Sequence, residues 1–371
     1  MDTPDGSFGR LVDRRAAMPS RGRSRPAVLF VLLLGVVYLA WLMHLPQEGV
    51  FFSGDGGLKY LLSRQCLAGN VSPALELAVP SGRAAALQES AMYPFRPPFV
   101  YTVDGQRIVS FPLFFPLLTV PFLAVLGWRG LYALPAGALV LCWLWVARRG
   151  RLLGLSTAAR CATLLALIFA APLTLYAAMF WEHTLAAALA SAALVLVVRE
   201  PAEKRSAAAA VAAGLLAGAA GVFRPEAFVP WLCSMAVCLL CYRRARLRLL
   251  GLFCAGSAVS VAIFLAANQA WYGRALGMHA EQVVEGSMFA PHMIVRAIER
   301  AFELSVGLVR FWPPVVFILA GLSLAVATSA RRRREILASA LVLVVSVPLI
   351  AAMVPNTGGK QWGPRYLLVL L

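Results

Sequence analysis

Ala27-Val-Leu-Phe-Val-Leu-Leu-Leu-Gly-Val-Val-Tyr-Leu-Ala-Trp-Leu-Met-His44-Leu45 is an apolar run that follows a basic stretch from Arg21 to Arg25. A helix crossing a ~30 Å hydrocarbon core needs roughly 17–25 apolar residues, and this run supplies them. A signal peptide would also begin this way. The run is long for such a peptide, however, and no small-residue cleavage site follows His44-Leu-Pro-Gln-Glu48. It is read as a retained anchor.

Eight more stretches match it, at about 131–147, 160–180, 183–198, 206–223, 227–242, 249–268, 313–329 and 336–354. A tenth begins at Tyr366 and meets the chain end at Leu371, so the sequence is expected to be truncated there. The composition agrees with a membrane protein. The 371 residues are 60% hydrophobic and 14% charged, against about 25% charged in soluble domains. A water-soluble globular protein and a disordered chain are both excluded. Seven cysteines show no metal-type spacing with histidines and no disulfide framework.

Phe111–Gly127 is the stretch that decides the topology. It carries Pro112, Pro116 and Pro121. Basic loops favour the cytoplasmic side. If this stretch spanned, Arg148-Arg149-Gly-Arg151, Arg243–Arg248 and Arg331–Arg334 would all face outward. Lying at the interface as a half-inserted helix, it leaves every strong basic cluster inside.

The resulting fold class is an all-α, polytopic transmembrane helical bundle whose long first outer loop carries interfacial helices. Residues 1–26 are read as a disordered cytoplasmic tail and 27–371 as the transmembrane domain, with outer loops at 46–130 and 269–312. On this map 21 of the 34 basic residues but only six of the 17 acids lie inside. The net charge of +17 is therefore mostly an orientation signal, +15 within and +2 without. It gives no reason to expect nucleic acid.

The chemistry-bearing residues fall in the outer segments. In Phe51-Phe-Ser-Gly-Asp55-Gly-Gly-Leu-Lys59-Tyr60, glycines flank a carboxylate and permit a sharp turn at the membrane surface. Leu58–Cys66 then reads as a short amphipathic helix on the interface, and Asp55 could equally be its cap. Tyr93-Pro-Phe-Arg96-Pro-Pro-Phe and the following aromatics suit an interfacial belt, with Arg96 a candidate phosphate contact. Trp181-Glu182-His183 places a carboxylate beside a histidine, an arrangement able to do acid–base work or simply to form a solvated turn. Arg224-Pro-Glu226 offers an Arg and a carboxylate that either pair together or hold a ligand. Asn356-Thr-Gly-Gly-Lys360-Gln-Trp-Gly-Pro-Arg365 joins glycine backbone N–H groups to two cations, an anion site or two snorkelling side chains.

Taken in order, Ser53-Gly-Asp55-Gly-Gly-Leu-Lys59, Trp181-Glu182-His183 and Gln361-Trp-Gly-Pro-Arg365-Tyr resemble the GT-C superfamily of membrane glycosyltransferases. That superfamily includes protein O-mannosyltransferases and lipid A aminoarabinose transferases. The likeness covers the chain from about residue 27. It implies transfer of a sugar from a polyprenyl-phosphate carrier to an acceptor hydroxyl, with inversion, on the outer face of the plasma membrane. The acceptor would be a glycan, a lipid or a protein. By the resemblance Asp55 is the general base, and Arg365, with Lys360 or Arg96, stabilises the leaving phosphate. Glu182 and Arg224 would line the sugar pocket, and Lys59, His183 and Glu226 belong to the same binding set. Many relatives carry two adjacent carboxylates in the first loop. Here Asp55 stands between glycines, which weighs against a divalent metal at that point, and no other cofactor is implied. A transporter or flippase of lipid-linked glycans is the first alternative, although such proteins often show internal repeats and none is visible. A non-catalytic membrane subunit of an envelope assembly complex is the second.

Overall fold

The structure is a computed structural model that describes residues 25–44, 54–76, 95, 97, 99–152, 155–198, 207–229, 246–278, 291–311 and 345–351. The tail before Arg25, the span at 313–329 and nearly all of that at 227–242 lie outside them.

Helix α1 (Arg25–His44) carries no acid and, before His44, one base, Arg25 at its start. Val28, Val31, Leu39 and Leu42 are buried, whereas Leu29, Phe30, Leu33, Val37 and Trp41 are exposed. Large apolar side chains exposed along a whole helix face mark a surface meant for something other than water. Among the described residues, three helical stretches are long and apolar enough to cross a membrane: Pro26–His44, Phe114–Arg151 and Leu247–Tyr272.

The first long loop is more structured than the sequence suggests. Helix α2 (Gly54–Leu67) starts four residues before the expected Leu58, so Asp55 sits in its first turn. Strands β1 (Val100–Val103) and β2 (Gln106–Val109) form an antiparallel hairpin that departs from the all-α expectation. Asp104 and Gly105 make its two-residue turn with φ of 51° and 75°. Positive φ at both central residues is the turn geometry that matches the twist of the flanking strands. Leu58, Leu62 and Cys66 of α2 pack on Val100, Val109 and Leu113, which ties hairpin and helix into one small core.

Helix α3 (Phe114–Leu126) follows, and its 13 residues rise about 20 Å. Gly127 (φ 59°) then turns the chain into a 3₁₀ segment, Gly127–Tyr132. A Cβ on Gly130 would stand 2.0 Å from the Phe122 carbonyl oxygen, so only glycine allows the chain to fold back this closely. Helix α4 (Ala133–Leu152) leads away from the turn.

The stretch at 160–180 is not one helix. It divides into α5 (Thr157–Leu165), a π-turn (Ala166–Ala170) and α6 (Leu173–Ala177). Pro172 has no N–H to continue the ladder, and Ala171 is extended with ψ 137°. Leu139 and Trp143 of α4, Leu164 of α5 and Ile168 of the π-turn form the main apolar core with α1.

Helices α7 (His183–Val198), α8 (Ala207–Phe223) and α9 (Arg246–Tyr272) match expected spans to within a few residues. Small residues let α8 and α9 meet backbone to backbone. A Cβ on Gly214 would lie 2.0 Å from Phe253 O, and one on Gly256 would lie 2.3 Å from Val211 O. Ser257 and Ser260 donate across this seam to the carbonyls of Gly214 (3.0 Å) and Leu215 (2.9 Å). Such hydrogen bonds and close packing replace the hydrophobic drive that lipid removes. Helix α10 (Pro291–Phe311) occupies the second long loop and packs Leu304 beside Ala220 and Ala227. A further helical segment covers 345–351.

Candidate functional site

Helix α2 is buried along one half, and that half carries Asp55 and Lys59. Asp55 (8% exposed) and Lys59 (3%) lie one turn apart on it, beside Leu58 and Leu62. Residues four apart share a helix face. The carboxylate and the ammonium therefore point to the interior, which corrects the reading of Asp55 as a group displayed at the membrane surface. The helix is fixed there by Ser63, whose Oγ donates to Lys59 O at 2.8 Å and to Pro116 O of α3 at 3.4 Å.

A partner for Lys59 comes from a distant segment. Its Nζ donates to Glu182 Oε2 at 2.5 Å and lies 4.6 Å from the centre of the Phe111 ring. Glu182 stands at the junction of α6 and α7, which the sequence also allowed to be a solvated turn; it is 6% exposed. Its other oxygen, Oε1, accepts from Arg224 Nη1 at 3.3 Å. Arg224 in turn donates from Nε (2.7 Å) and Nη2 (2.6 Å) to Glu226 Oε1. Of the alternatives open for Arg224-Pro-Glu226, the structure shows mutual pairing and adds Glu182 to it.

Four charged groups thus form one buried chain, Lys59–Glu182–Arg224–Glu226, with charges that cancel. Burial pushes the Glu182 carboxyl up, but the Lys59 and Arg224 cations beside it and the Lys59 hydrogen bond outweigh that effect and hold it down at about 2. His183 follows at the start of α7. It is 2% exposed, with its ring 5.0 Å from Trp181 and 5.5 Å from Tyr176.

Lys59 and Glu182, the first two members of the ion chain, line a narrow cleft with only about 10 Å³ of room for a water-sized group. Lys59 and Glu182 supply its polar wall, while Phe111, Phe114, Phe115 and Phe223 supply its apolar one. Phe115 and Phe180 pack as a tilted pair with centroids 5.0 Å apart and planes at 31°. Phe111 is held by Tyr272 at the end of α9, whose hydroxyl donates to Phe111 O at 2.7 Å. Phe111 enters the sequence reading only as the start of the 111–127 stretch and as a belt aromatic, and Tyr272 is not singled out there. The signal available for Phe111 was its place just before the proline-rich stretch; Tyr272 offered none.

Four segments assigned to the outer side of the map therefore meet at one end of the bundle, joined through Lys59, Glu182, Arg224 and Tyr272. The structure brings together Asp55, Lys59, Glu182, His183, Arg224 and Glu226 of the expected set. Arg96, Lys360 and Arg365 lie outside the described residues. Among the described residues no three His, Cys, Asp or Glu side chains converge as a metal-binding group. No protein-family model, curated protein or solved structure matches the chain.

Proposed function

We propose that this chain is a membrane glycosyltransferase of GT-C type that takes a sugar from a polyprenyl-phosphate carrier. The observation that carries the reading is the buried Lys59–Glu182–Arg224 chain with Asp55 one turn away on the same face of α2. Ionisable groups this deep in an apolar protein are expensive and mark functional positions. A lipid-phosphate donor needs a cation, a base and an apolar wall, and the pocket and its surroundings offer all three.

In the reaction, Asp55 accepts the proton of the acceptor hydroxyl as its oxygen attacks the anomeric carbon. The bond from that carbon to the phosphate oxygen breaks, and its electron pair leaves with polyprenyl phosphate. Attack opposite the leaving group inverts the centre. The leaving group is already a stabilised anion, so charge complementarity supplies much of the catalysis. Lys59, on the pocket wall, provides that complementarity in this reading, with Glu182 holding it in position before the donor arrives. Glu226 orients Arg224, and His183 packs behind Glu182.

The test uses the full chain in lipid vesicles with a polyprenyl-phosphate hexose carrying a labelled sugar and a panel of acceptors. Asp55→Asn should abolish transfer while the protein still unfolds at the wild-type temperature and still binds donor. Transfer that persists in D55N removes Asp55 from the base role. Movement of the labelled lipid across the bilayer without transfer overturns the enzyme reading.

A further inference from the structure

The corner between α4 and α5, at Gly150 and Arg160, holds a charge that no ion pair among the described residues balances. Arg160 is 8% exposed. Its stem lies on Gly150, where a Cβ would stand 2.9 Å from Arg160 Cγ. The side chain runs back toward the N-terminus of its own helix, placing Nη2 3.3 Å from Thr157 Oγ1. Its Nε is buried without a hydrogen-bond partner. Among the described residues no carboxylate forms an ion pair with it.

A guanidinium stays protonated under all relevant conditions, so it cannot escape burial by losing its charge. Buried charges are paired or they are costly. The local sequence makes the imbalance worse, because residues 148–165 contain Arg148, Arg149, Arg151 and Arg160 and no acid. Arg148 and Arg151 are exposed and Arg149 is half-buried, all at the end of an apolar helix. The first turn of α5 adds the positive end of a helix dipole. Ser156 already caps one of its amides, accepting from Ala159 N at 3.2 Å. The missing component is an anion. Basic pockets between helices at the edge of the bilayer take lipid phosphates.

We propose that this corner binds the phosphate of an anionic lipid headgroup, with Arg160 as the buried ligand and Arg148, Arg149 and Arg151 around it. Gly150 is part of the site, since any side chain there would displace the Arg160 stem. The proposal is independent of the glycosyltransferase reading and concerns the C-terminal end of α4, a helix that contributes no residue to the lining of the Phe111 pocket.

The experiment places the full chain in nanodiscs of phosphatidylcholine with and without phosphatidylglycerol, and counts retained lipid by native mass spectrometry. Wild-type protein should retain about one phosphatidylglycerol in preference to phosphatidylcholine. Arg160→Gln should weaken that retention about tenfold or more, as expected for one charge-assisted hydrogen bond. Arg148→Gln with Arg151→Gln, both at exposed positions, should weaken it by a smaller factor and keeps the test valid if R160Q does not fold. Equal retention of the two lipids overturns the proposal, as does full retention by R160Q or by the double variant. Displacement of the lipid by millimolar inorganic phosphate assigns the site to free phosphate and overturns the lipid claim. Glu200 and Glu203, in the connection from α7 to α8, lie outside the described residues. Loss of the lipid preference in wild type, but its appearance in Glu200→Gln/Glu203→Gln, would show that Arg160 pairs within the chain and also overturns it.

Discussion

The Lys59 ammonium and the Glu182 carboxylate meet at 2.5 Å with side-chain exposures of 4% and 8%, although 123 residues separate them in sequence. Their dependence on each other is unequal. Glu182 has a second cation in Arg224, whereas Lys59 forms no second ion pair among the described residues.

Glu182→Gln is therefore the most damaging single change in the cluster. It removes the carboxylate that the buried Lys59 ammonium is paired with, which costs roughly 3–5 kcal/mol. Lys59→Met leaves Glu182 still bonded to Arg224 and costs less. The double variant K59M/E182Q should be more stable than E182Q alone. Thermal unfolding of the three proteins checks the order, and E182Q unfolding no earlier than K59M would refute the asymmetry.

The same carboxylate makes stability depend on acid. Its folded pKa of about 2 lies below the ordinary value of 4.5, so the unfolded chain binds the proton more tightly. The stabilisation is complete above pH 4.5 and is lost as pH falls from there toward 2. Unfolding temperature followed over that window should drop, and E182Q should flatten this part of the curve.

Glycines in two helices should respond in opposite directions. Gly214→Leu drives a side chain into the α9 backbone, since even a Cβ would stand 2.0 Å from Phe253 O. Overpacking of this kind costs typically ~1–3 kcal/mol, and backbone cannot yield as a side chain can. Gly57 of α2 has nothing within 4 Å of its Cβ position, and Gly57→Ala should add roughly 0.5–1 kcal/mol by helix propensity. Denaturation midpoints of the two variants decide the matter.

Tyr272→Phe removes the hydroxyl that donates to Phe111 O at 2.7 Å. The loss should be about 0.5–1.5 kcal/mol. Because Phe111 faces the Lys59 ammonium, a fluorescence-quenching probe bound in the pocket should also lose affinity in Y272F. Unchanged binding would mean that the hydroxyl fixes α9 without shaping the pocket.

Helices were legible where one physical signal dominated. At α1, α7, α8 and α9 long apolar runs bounded by charge or turn residues fixed the ends closely. The run at 160–180 misled because hydropathy is blind to the backbone. Pro172 breaks the ladder while Leu173 to Phe180 remain as apolar as before. Asp104-Gly105 was a readable hairpin signal, hidden inside a stretch judged by its aromatics. For the site, sequence named the charged residues and allowed Arg224 to pair with Glu226, but it did not join them to Lys59 and Glu182. Asp55, Lys59 and Glu182 look like surface groups when taken one segment at a time. Their burial follows from pairing across the chain, which no local window contains.

That separation has a consequence for how the protein is made. At roughly 5–20 residues per second, a ribosome takes about 6–25 s to travel from Lys59 to Glu182. During that interval the nascent ammonium lacks the carboxylate it pairs with in the folded chain, and water is the medium that best tolerates it. Helix α2 must wait in a hydrated position until the α6–α7 junction emerges, then move inward with it. Arg224 arrives 42 residues later and closes the chain. Labelling of Lys59→Cys in nascent chains halted before Glu182, and its loss in longer ones, would display that order of assembly directly.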